Sequence, residues 1–296
     1  MKALLLGCNL ALALAGPGYA LAPLAMHQEM QAAQSAPDAK IKAFVSALLH
    51  NRALELLTLS KPEIELRRGY ASEQAAYARN LKGGRPPTRA EPEVQEIWLQ
   101  LQTPAGRSQL EADWLATLDA KLPQFRAQWP MYLAMARASL AARTDLAPDT
   151  RASLGELLLA LDKLVLEVDL ADRSKLRASI ADLAALVQSS SVANYYDLPA
   201  LEFEAIFALA QRAMVTGKRI ASRYGLEVNP ALNSFGIVVT RASDDRAVLT
   251  MRGKVLGVPL VWREQLAWDG KTWGVASDRV YESTDDAPGR IEQFLH

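Results

Sequence analysis

The chain of 296 residues contains one cysteine, Cys8, and only three histidines. A single cysteine excludes an internal disulfide and every zinc or iron–sulfur site that needs several cysteine ligands. His27 lies near the expected mature N-terminus and His296 is the last residue, which leaves His50 in the body of the sequence. We interpret His50 as a helix-surface residue rather than a general base, because no nucleophile motif accompanies it.

An excess of positive charge is also absent, since 33 Lys and Arg residues balance 33 Asp and Glu residues. General nucleic-acid binding requires phosphate neutralisation, so we expect no nucleic-acid partner. The sequence also lacks the glycine-rich phosphate loops, the Gly-x-Ser-x-Gly nucleophile motif and the His-Glu-x-x-His zinc motif. We therefore predict no cofactor, no metal and no catalytic residue, and we favour a non-enzymatic protein over an enzyme.

The first 22 residues have the pattern of a secretory signal peptide. Lys2 supplies the positive start, residues 3–15 form a short apolar run, and Gly18-Tyr19-Ala20 or Ala20-Leu21-Ala22 offers small residues for cleavage. The apolar run is shorter than the roughly 20 residues that a membrane span needs. Charges interrupt every later apolar run, so we expect a periplasmic protein with no stable membrane insertion.

A lipoprotein signal is the alternative interpretation of the same segment. Leu5-Leu6-Gly7-Cys8 resembles a lipobox, in which the cysteine receives the lipid. Too few apolar residues precede Cys8 to form a signal core, so simple cleavage is favoured over lipidation.

Residues 23–230 have apolar side chains at intervals of three and four, which predicts a mainly α-helical domain. Pro123 and Pro130 are expected to break one helix, with a new helix starting after Pro130. Asp172 is a candidate cap for a later helix, and the last helix is expected over residues 199–224 with Gly225 at its end.

After Pro230 the apolar period changes to two, which predicts an antiparallel β-meander in residues 231–296. The four predicted strands cover residues 235–241, 246–254, 259–268 and 271–280. Asp269-Gly270 is expected to form a two-residue hairpin turn. The predicted fold is therefore α+β, with a long helical body followed by a four-stranded meander that packs on the last helix.

The end of the chain resembles the closing hairpin of NTF2-like and cystatin-like domains. The residues that carry this resemblance are the long strand Leu260 to Trp268, the Asp-Gly turn and the strand around Trp273. Arg246-Ala247-Val248-Leu249-Thr250 is similar to the preceding strand of those domains. The resemblance covers residues 231–296 and implies a curved sheet wrapped on a helix, without implying an activity.

Glu264 departs from the apolar pattern of its predicted strand. A two-residue turn at Asp269-Gly270 places Glu264 opposite Val275, on one face with Trp262 and Trp273. That face needs a cover, so Glu264 is expected to be buried. An isolated buried charge costs several kcal/mol, so a buried carboxylate requires a partner or stays protonated.

Two interpretations of Glu264 remain open. Arg252 on the preceding strand, and then Arg279 on the following strand, are the candidate partners for a structural ion pair. The functional interpretation is a concave ligand site, whose lining residues are Glu264, Arg252, Trp262, Trp273 and Arg279.

These observations favour an exported, soluble periplasmic protein that binds a protein partner or a small apolar ligand. An envelope hydrolase that uses paired carboxylates, and a helical-repeat interaction scaffold, are the alternatives. Acidic residues that converge in a pocket would favour the hydrolase, whereas a large exposed apolar surface would favour a protein partner.

Overall fold

The protein has an α+β fold in which a mainly helical body precedes a C-terminal antiparallel sheet. The computed structural model describes residues 38–59, 61–83, 92–268, 273–276 and 292–293. The predicted signal peptide, with Cys8 and the cleavage sites, lies outside these residues. The helical body and the sheet that follows it confirm the predicted fold class in this coarse form.

Nine α-helices and one 3-10 helix lie in the described residues, and they cover most of the chain before the sheet. Their bounds are α1 Asp38–Leu49, α2 Ala53–Thr58, α3 Glu63–Lys82, α4 Pro92–Gln102, α5 Pro104–Ala142, α6 Pro148–Glu167, α7 Arg173–Gln188, the 3-10 helix Tyr195–Ala200, α8 Phe203–Arg223 and α9 Val228–Asn233.

Helix α5 runs through both of its prolines, so the prediction that it would break at Pro123 and restart after Pro130 is wrong. A proline removes one backbone donor and crowds the carbonyl four residues earlier. Pro123 and Pro130 are seven residues apart and both are exposed, so they lie on the same side of the helix. On a solvent-facing side of a helix, carbonyl groups without a helical donor are accessible to water.

The residues that cap the helix ends were predicted more successfully than the effect of the prolines. Asp172 caps α7 as expected, because its carboxylate accepts hydrogen bonds from the backbone N–H groups of Ser174 at 2.9 Å and Lys175 at 3.0 Å. Gly225 follows α8 with φ of +84°, a left-handed conformation that favours glycine.

The sheet contains three long antiparallel strands, β1 Gly236–Arg241, β2 Arg246–Val255 and β3 Val258–Trp268. Short pairings extend its two edges, with β4 Trp273–Val275 beside β3 and β5 Glu292–Gln293 beside β1. The prediction of four full strands is therefore corrected to three, because the described part of residues 271–280 forms a strand only at β4.

The predicted two-residue turn at Asp269-Gly270 is also wrong. Trp268 pairs with Trp273, so four residues rather than two connect β3 and β4. The two-residue turn instead joins β2 to β3 at Leu256-Gly257, where φ is +53° and +77°. Positive φ at both central residues is the requirement of a type I′ hairpin turn. The four-residue loop shifts the β4 register by an even number, so side chains keep their predicted faces.

The chain divides into two compact units. Unit 1 contains Asn51–Leu122 and Asp169–Tyr224, and unit 2 contains Pro123–Val168 together with the described residues before Asn51 and after Tyr224. The predicted domain boundary after residue 230 falls inside unit 2. Helix α8 belongs to unit 1, so its packing on the sheet stays a prediction.

In unit 1 the core is formed mainly by α7 and α8. Seven residues of α7 are buried, including Leu176, Ile180 and Leu183. On α8, apolar side chains such as Ile206 and Leu209 are buried in turn. These residues recur at intervals of three and four, so one stripe of each helix carries the apolar packing.

Helix α3, also in unit 1, has no buried residue and is held by polar side chains instead. The Tyr70 hydroxyl donates to the carbonyl of Leu201 at 2.9 Å, and the Gln74 amide donates to the same carbonyl at 2.7 Å. The Tyr77 hydroxyl donates to the Asp197 carboxylate at 2.7 Å. The spacing of Tyr70, Gln74 and Tyr77 places the three donors on one face of the helix.

In unit 2 the apolar face of the sheet packs against α1. The buried cluster consists of Val45 from α1 with Ile237, Ala247, Leu249, Leu266 and Trp273 from the sheet. Ile41 and Phe44 of α1 pack against the same cluster. A helix far from the sheet in sequence thus contributes side chains to its core.

Candidate functional site

Glu264 lies in the middle of β3, directly opposite Leu249 of β2. Its side chain is buried, with 8% of the residue surface exposed. Alternation along the strand places it on the same face as Leu266, a member of the apolar cluster. The face expected for Glu264 from the sequence is therefore the observed one.

Arg252 does not lie on the face that carries Glu264. It pairs with Val261, whereas the apolar face of β2 carries Ala247, Leu249 and Met251. Because successive side chains point to opposite faces, Arg252 and Glu264 are separated by the sheet. The prediction that Arg252 pairs with Glu264 is corrected by this register. Arg279, the second expected partner, lies outside the described residues.

Arg143, which lies between α5 and α6, has a pKa that reflects the charge of Glu264. The pKa of the Arg143 guanidinium is raised, first by its hydrogen bonds to Asp145 and further by Coulombic attraction to Asp145 and Glu264. The guanidinium donates to the two carboxylate oxygens of Asp145 at 2.5 Å and 2.7 Å. Sequence reasoning missed Arg143 because it searched only the neighbouring strands.

The two predicted tryptophans occupy different surroundings. Trp273 belongs to the buried cluster and contacts Trp268, with ring centroids 5.7 Å apart. Trp262 pairs with Met251 and is half-buried. Trp273 therefore contributes to the apolar core of the sheet.

Helix α6 supplies hydrogen bonds to the edge of β3. The Ser153 hydroxyl accepts from the backbone N–H of Val261 at 3.1 Å and donates to its carbonyl at 3.0 Å. The hydroxyl of Thr150, which is fully buried, accepts from the N–H of Arg263 at 3.0 Å. Two hydroxyls one helical turn apart thus satisfy backbone groups of β3 at Val261 and Arg263.

An ion pair reinforces the same edge. The Nε of Arg263 lies 2.8 Å from a carboxylate oxygen of Asp149, and both side chains are partly shielded from solvent. Asp149 precedes Thr150 in the first turn of α6, where a negative charge also interacts favourably with the helix dipole. These contacts hold the start of α6 to the edge of β3.

A metal or catalytic site requires several titratable side chains close together. Within the described ranges, no group of three or more His, Cys, Asp and Glu residues is placed to hold a metal ion. His50 lies at the exposed end of α1, where its Nδ1 is 2.9 Å from the carbonyl of Ser46. In the same part of the chain, no helix is long and apolar enough to cross a membrane.

An exposed apolar surface on α5 was not predicted. We name it the Ala–Met face, and its members, all exposed, are Ala127, Met131, Ala134, Met135, Ala138 and Ala142. Met131 is 54% exposed and Met135 is 62% exposed. The opposite side of α5 is held within unit 2, where Trp129 donates to the Asp162 carboxylate of α6 at 2.8 Å. The spacing of the members is visible in the sequence, but the expected break at the prolines concealed it.

The charged residues in the sequence stretch that carries the Ala–Met face all have one sign. Between Asp119 and Asp145 the sequence contains no acidic residue, and its basic residues are Lys121, Arg126, Arg137 and Arg143. Arg126 donates to the carbonyl of Val168 at 2.8 Å, whereas Lys121 and Arg137 are exposed. The helical repeat places Arg137 on one flank of the face.

Comparison with known proteins gave no relatives: no family model, no curated protein and no solved structure matches the chain. The resemblance of residues 231–296 to NTF2-like and cystatin-like domains is thus not confirmed by a family match. The sheet confirms only the coarser statement, an antiparallel sheet that follows a helical body.

Proposed function

We propose that this protein is an exported, non-enzymatic binding protein whose partner is another protein. The observation that carries the proposal is the exposure of Met131 and Met135 on the Ala–Met face. Exposed apolar surface on a folded protein is typical of interaction sites. Burial of these side chains by a partner would remove apolar area from water, which favours association.

A protein partner fits this surface better than a small apolar ligand. Small-molecule sites are concave and enclose most of the ligand, whereas the Ala–Met face lies along the outside of one helix. The predicted ligand site around Glu264 has less support, because Arg252 lies on the other face of the sheet and Trp273 is part of the core.

The hydrolase alternative has little support from the surroundings of Glu264. A carboxylate-dependent hydrolase needs two acidic groups that face each other across a substrate cleft. Glu264 instead lies opposite Leu249 on the apolar face of the sheet. The residue directly across the strands from Glu264 is thus apolar rather than a second acidic group.

Site-specific photo-crosslinking in cells tests the binding proposal. A photoreactive amino acid at Met131 or Met135 should form a defined protein adduct, because these side chains would lie inside the interface. The matched control is the same amino acid at Glu65, an exposed position of α3. Absence of a protein adduct at Met131 and Met135, or equal yields of the same adduct at Glu65, would contradict the proposal.

Cell fractionation followed by mass spectrometry tests the export part. The proposal expects a periplasmic chain that begins near Leu21 or Pro23, since cleavage follows the small residues before them. A diacylglyceryl group on Cys8 would establish the lipoprotein alternative, and an unprocessed cytoplasmic chain would contradict export altogether.

A further inference from the structure

Methionine is expected to be the only sulfur-containing residue of the mature chain. The single cysteine, Cys8, lies inside the predicted signal peptide and would be removed with it. Cysteine and methionine are the two residues whose sulfur is readily oxidised in proteins. In a chain without cysteine, an oxidant that attacks sulfur therefore reacts with the methionines.

The four methionines in the described part of the chain differ in their exposure. Met131 is 54% exposed and Met135 is 62% exposed. Met214 of α8 and Met251 of β2 are half-buried, and Met251 packs against the buried cluster of the sheet. An oxidant dissolved in water therefore reaches Met131 and Met135 more readily than the other two.

The packing of α5 inside unit 2 accounts for the exposure of its two methionines. Leu133 is buried, and Trp129 donates to the carboxylate of Asp162 in α6 at 2.8 Å. The helical repeat places Met131 on the side of α5 opposite to these two residues. Met135 follows Met131 by one helical turn, so both side chains lie on the same exposed side.

We propose that Met131 and Met135 form a reversible oxidation site whose oxidant is hydrogen peroxide. The lone pair of a thioether sulfur attacks one peroxide oxygen, the O–O bond breaks, and the proton on the transferred oxygen passes to the departing hydroxide to give water. The sulfur loses two electrons to the peroxide and becomes a sulfoxide. In the reverse reaction a dithiol is oxidised to a disulfide and the sulfoxide oxygen leaves as water, the reaction of methionine sulfoxide reductases.

Oxidation at this site would change the surface of the protein and leave its fold intact. A sulfoxide is polar, so the apolar area that Met131 and Met135 offer to a partner is lost. Neither side chain belongs to the buried core, so the free energy of unfolding should change little. This control of binding rests on the proposed binding function, whereas the oxidation site itself does not.

Peptide mapping by mass spectrometry tests the oxidation site on the full mature chain treated with hydrogen peroxide. Sulfoxide should accumulate several-fold faster at Met131 and Met135 than at Met214 and Met251, because the fold shields the latter pair. The matched control is the chain unfolded in urea, in which all four should react at equal rates.

Reversal is measured on the same oxidised chain after refolding into buffer. Methionine sulfoxide reductases for both sulfoxide epimers, supplied with dithiothreitol, should restore Met131 and Met135. Equal oxidation rates at all four methionines of the folded chain, or sulfoxides that the reductases leave unreduced, would overturn the proposed site.

Photo-crosslinking in cells tests the control of binding. A photoreactive amino acid at Ala134, an exposed member of the Ala–Met face, should give several-fold less protein adduct after hydrogen peroxide treatment. The matched chain carries Met131→Leu with Met135→Leu, which removes both sulfur atoms and keeps the positions apolar. It should give the same adduct yield with and without peroxide, which also controls for oxidation of the partner.

The two experiments can fail separately. An adduct yield that peroxide does not lower, or that falls equally in the leucine variant, would overturn the control of binding by Met131 and Met135. Absence of any adduct without peroxide would contradict the proposed binding function and with it this control, while peptide mapping decides the oxidation site independently.

Discussion

Helix α7 and the second half of α5, residues 123–142, use apolar side chains in opposite ways. Seven of the 16 residues of α7 are buried, whereas Leu133 is the only buried residue of the α5 segment. Both segments have apolar residues at intervals of three and four, so both patterns favour a helix. The difference shows that periodicity predicts the helix but leaves open what covers its apolar side.

The comparison also separates stability from recognition. A buried leucine stabilises a fold by roughly 1.5–3 kcal/mol relative to an exposed one. The α7 stripe contributes this free energy within unit 1, whereas Met131 and Met135 contribute little of it to folding. The apolar area of Met131 and Met135 on α5 remains available for association.

The largest expected effect is that of Leu176→Ala in α7. Leu176 is 1% exposed, so its truncation leaves a cavity and should lower the free energy of unfolding by about 2–5 kcal/mol. Urea denaturation followed by circular dichroism measures the change. Leu166→Ala, at a position that is 52% exposed on α6, is the control and should cost far less. Equal losses in the free energy of unfolding would contradict the difference between covered and uncovered apolar stripes.

A smaller loss is expected for Thr150→Val at the edge of β3. Valine keeps the shape of threonine but leaves the N–H of Arg263 without its acceptor, which should cost about 1–3 kcal/mol. Thr150→Ser retains the hydroxyl and should recover part of the loss. Urea denaturation again gives the comparison, and a valine variant as stable as the serine variant would show that this hydrogen bond contributes nothing.

The polar attachment of α3 predicts a loss of stability in strong alkali. Burial raises the pKa of Tyr70 to about 12, and the hydrogen bond to Asp197 is the main cause that raises the pKa of Tyr77 to about 12. An unfolded tyrosine titrates near pH 10. The contribution of these two tyrosines to the free energy of unfolding is therefore complete below about pH 10 and is lost as the pH rises toward about 12. Tyr77→Phe should make this decline shallower in urea titrations at several pH values, and an unchanged slope would contradict it.

The smallest expected effect is that of Met135→Gln. Because this side chain is largely exposed, the free energy of unfolding should change by less than about 0.5 kcal/mol. Urea denaturation measures this change and that of Leu176→Ala, and the two variants should give the smallest and the largest loss of stability. A cost near that of Leu176→Ala would mean that the Ala–Met face is covered within the folded chain.

Features that depend on neighbouring residues were predictable from the sequence. Asp172 caps α7 because a carboxylate reaches the N–H groups two and three residues ahead, whatever the rest of the chain does. The face of Glu264 followed from strand alternation, which survives a register shift of two residues.

Features that depend on distant residues were not predictable. Helix α1 packs against the core of the sheet, and the charge of Glu264 contributes to the raised pKa of Arg143, although neither α1 nor Arg143 is near β3 in sequence. The continuity of α5 depended on whether its prolines faced solvent, and the position of Arg252 depended on the turn at Leu256-Gly257. Each outcome required the tertiary arrangement that sequence periodicity does not specify.

The hydroxyls that α6 places along β3 also limit how this protein can associate with others. An open strand edge is a template on which another chain can add a strand, either as a specific ligand or as the start of aggregation. At Val261 and Arg263 the template is already occupied by Ser153 and Thr150. Strand addition along this stretch would first have to displace α6, so recruitment there must proceed through side chains rather than through the peptide backbone.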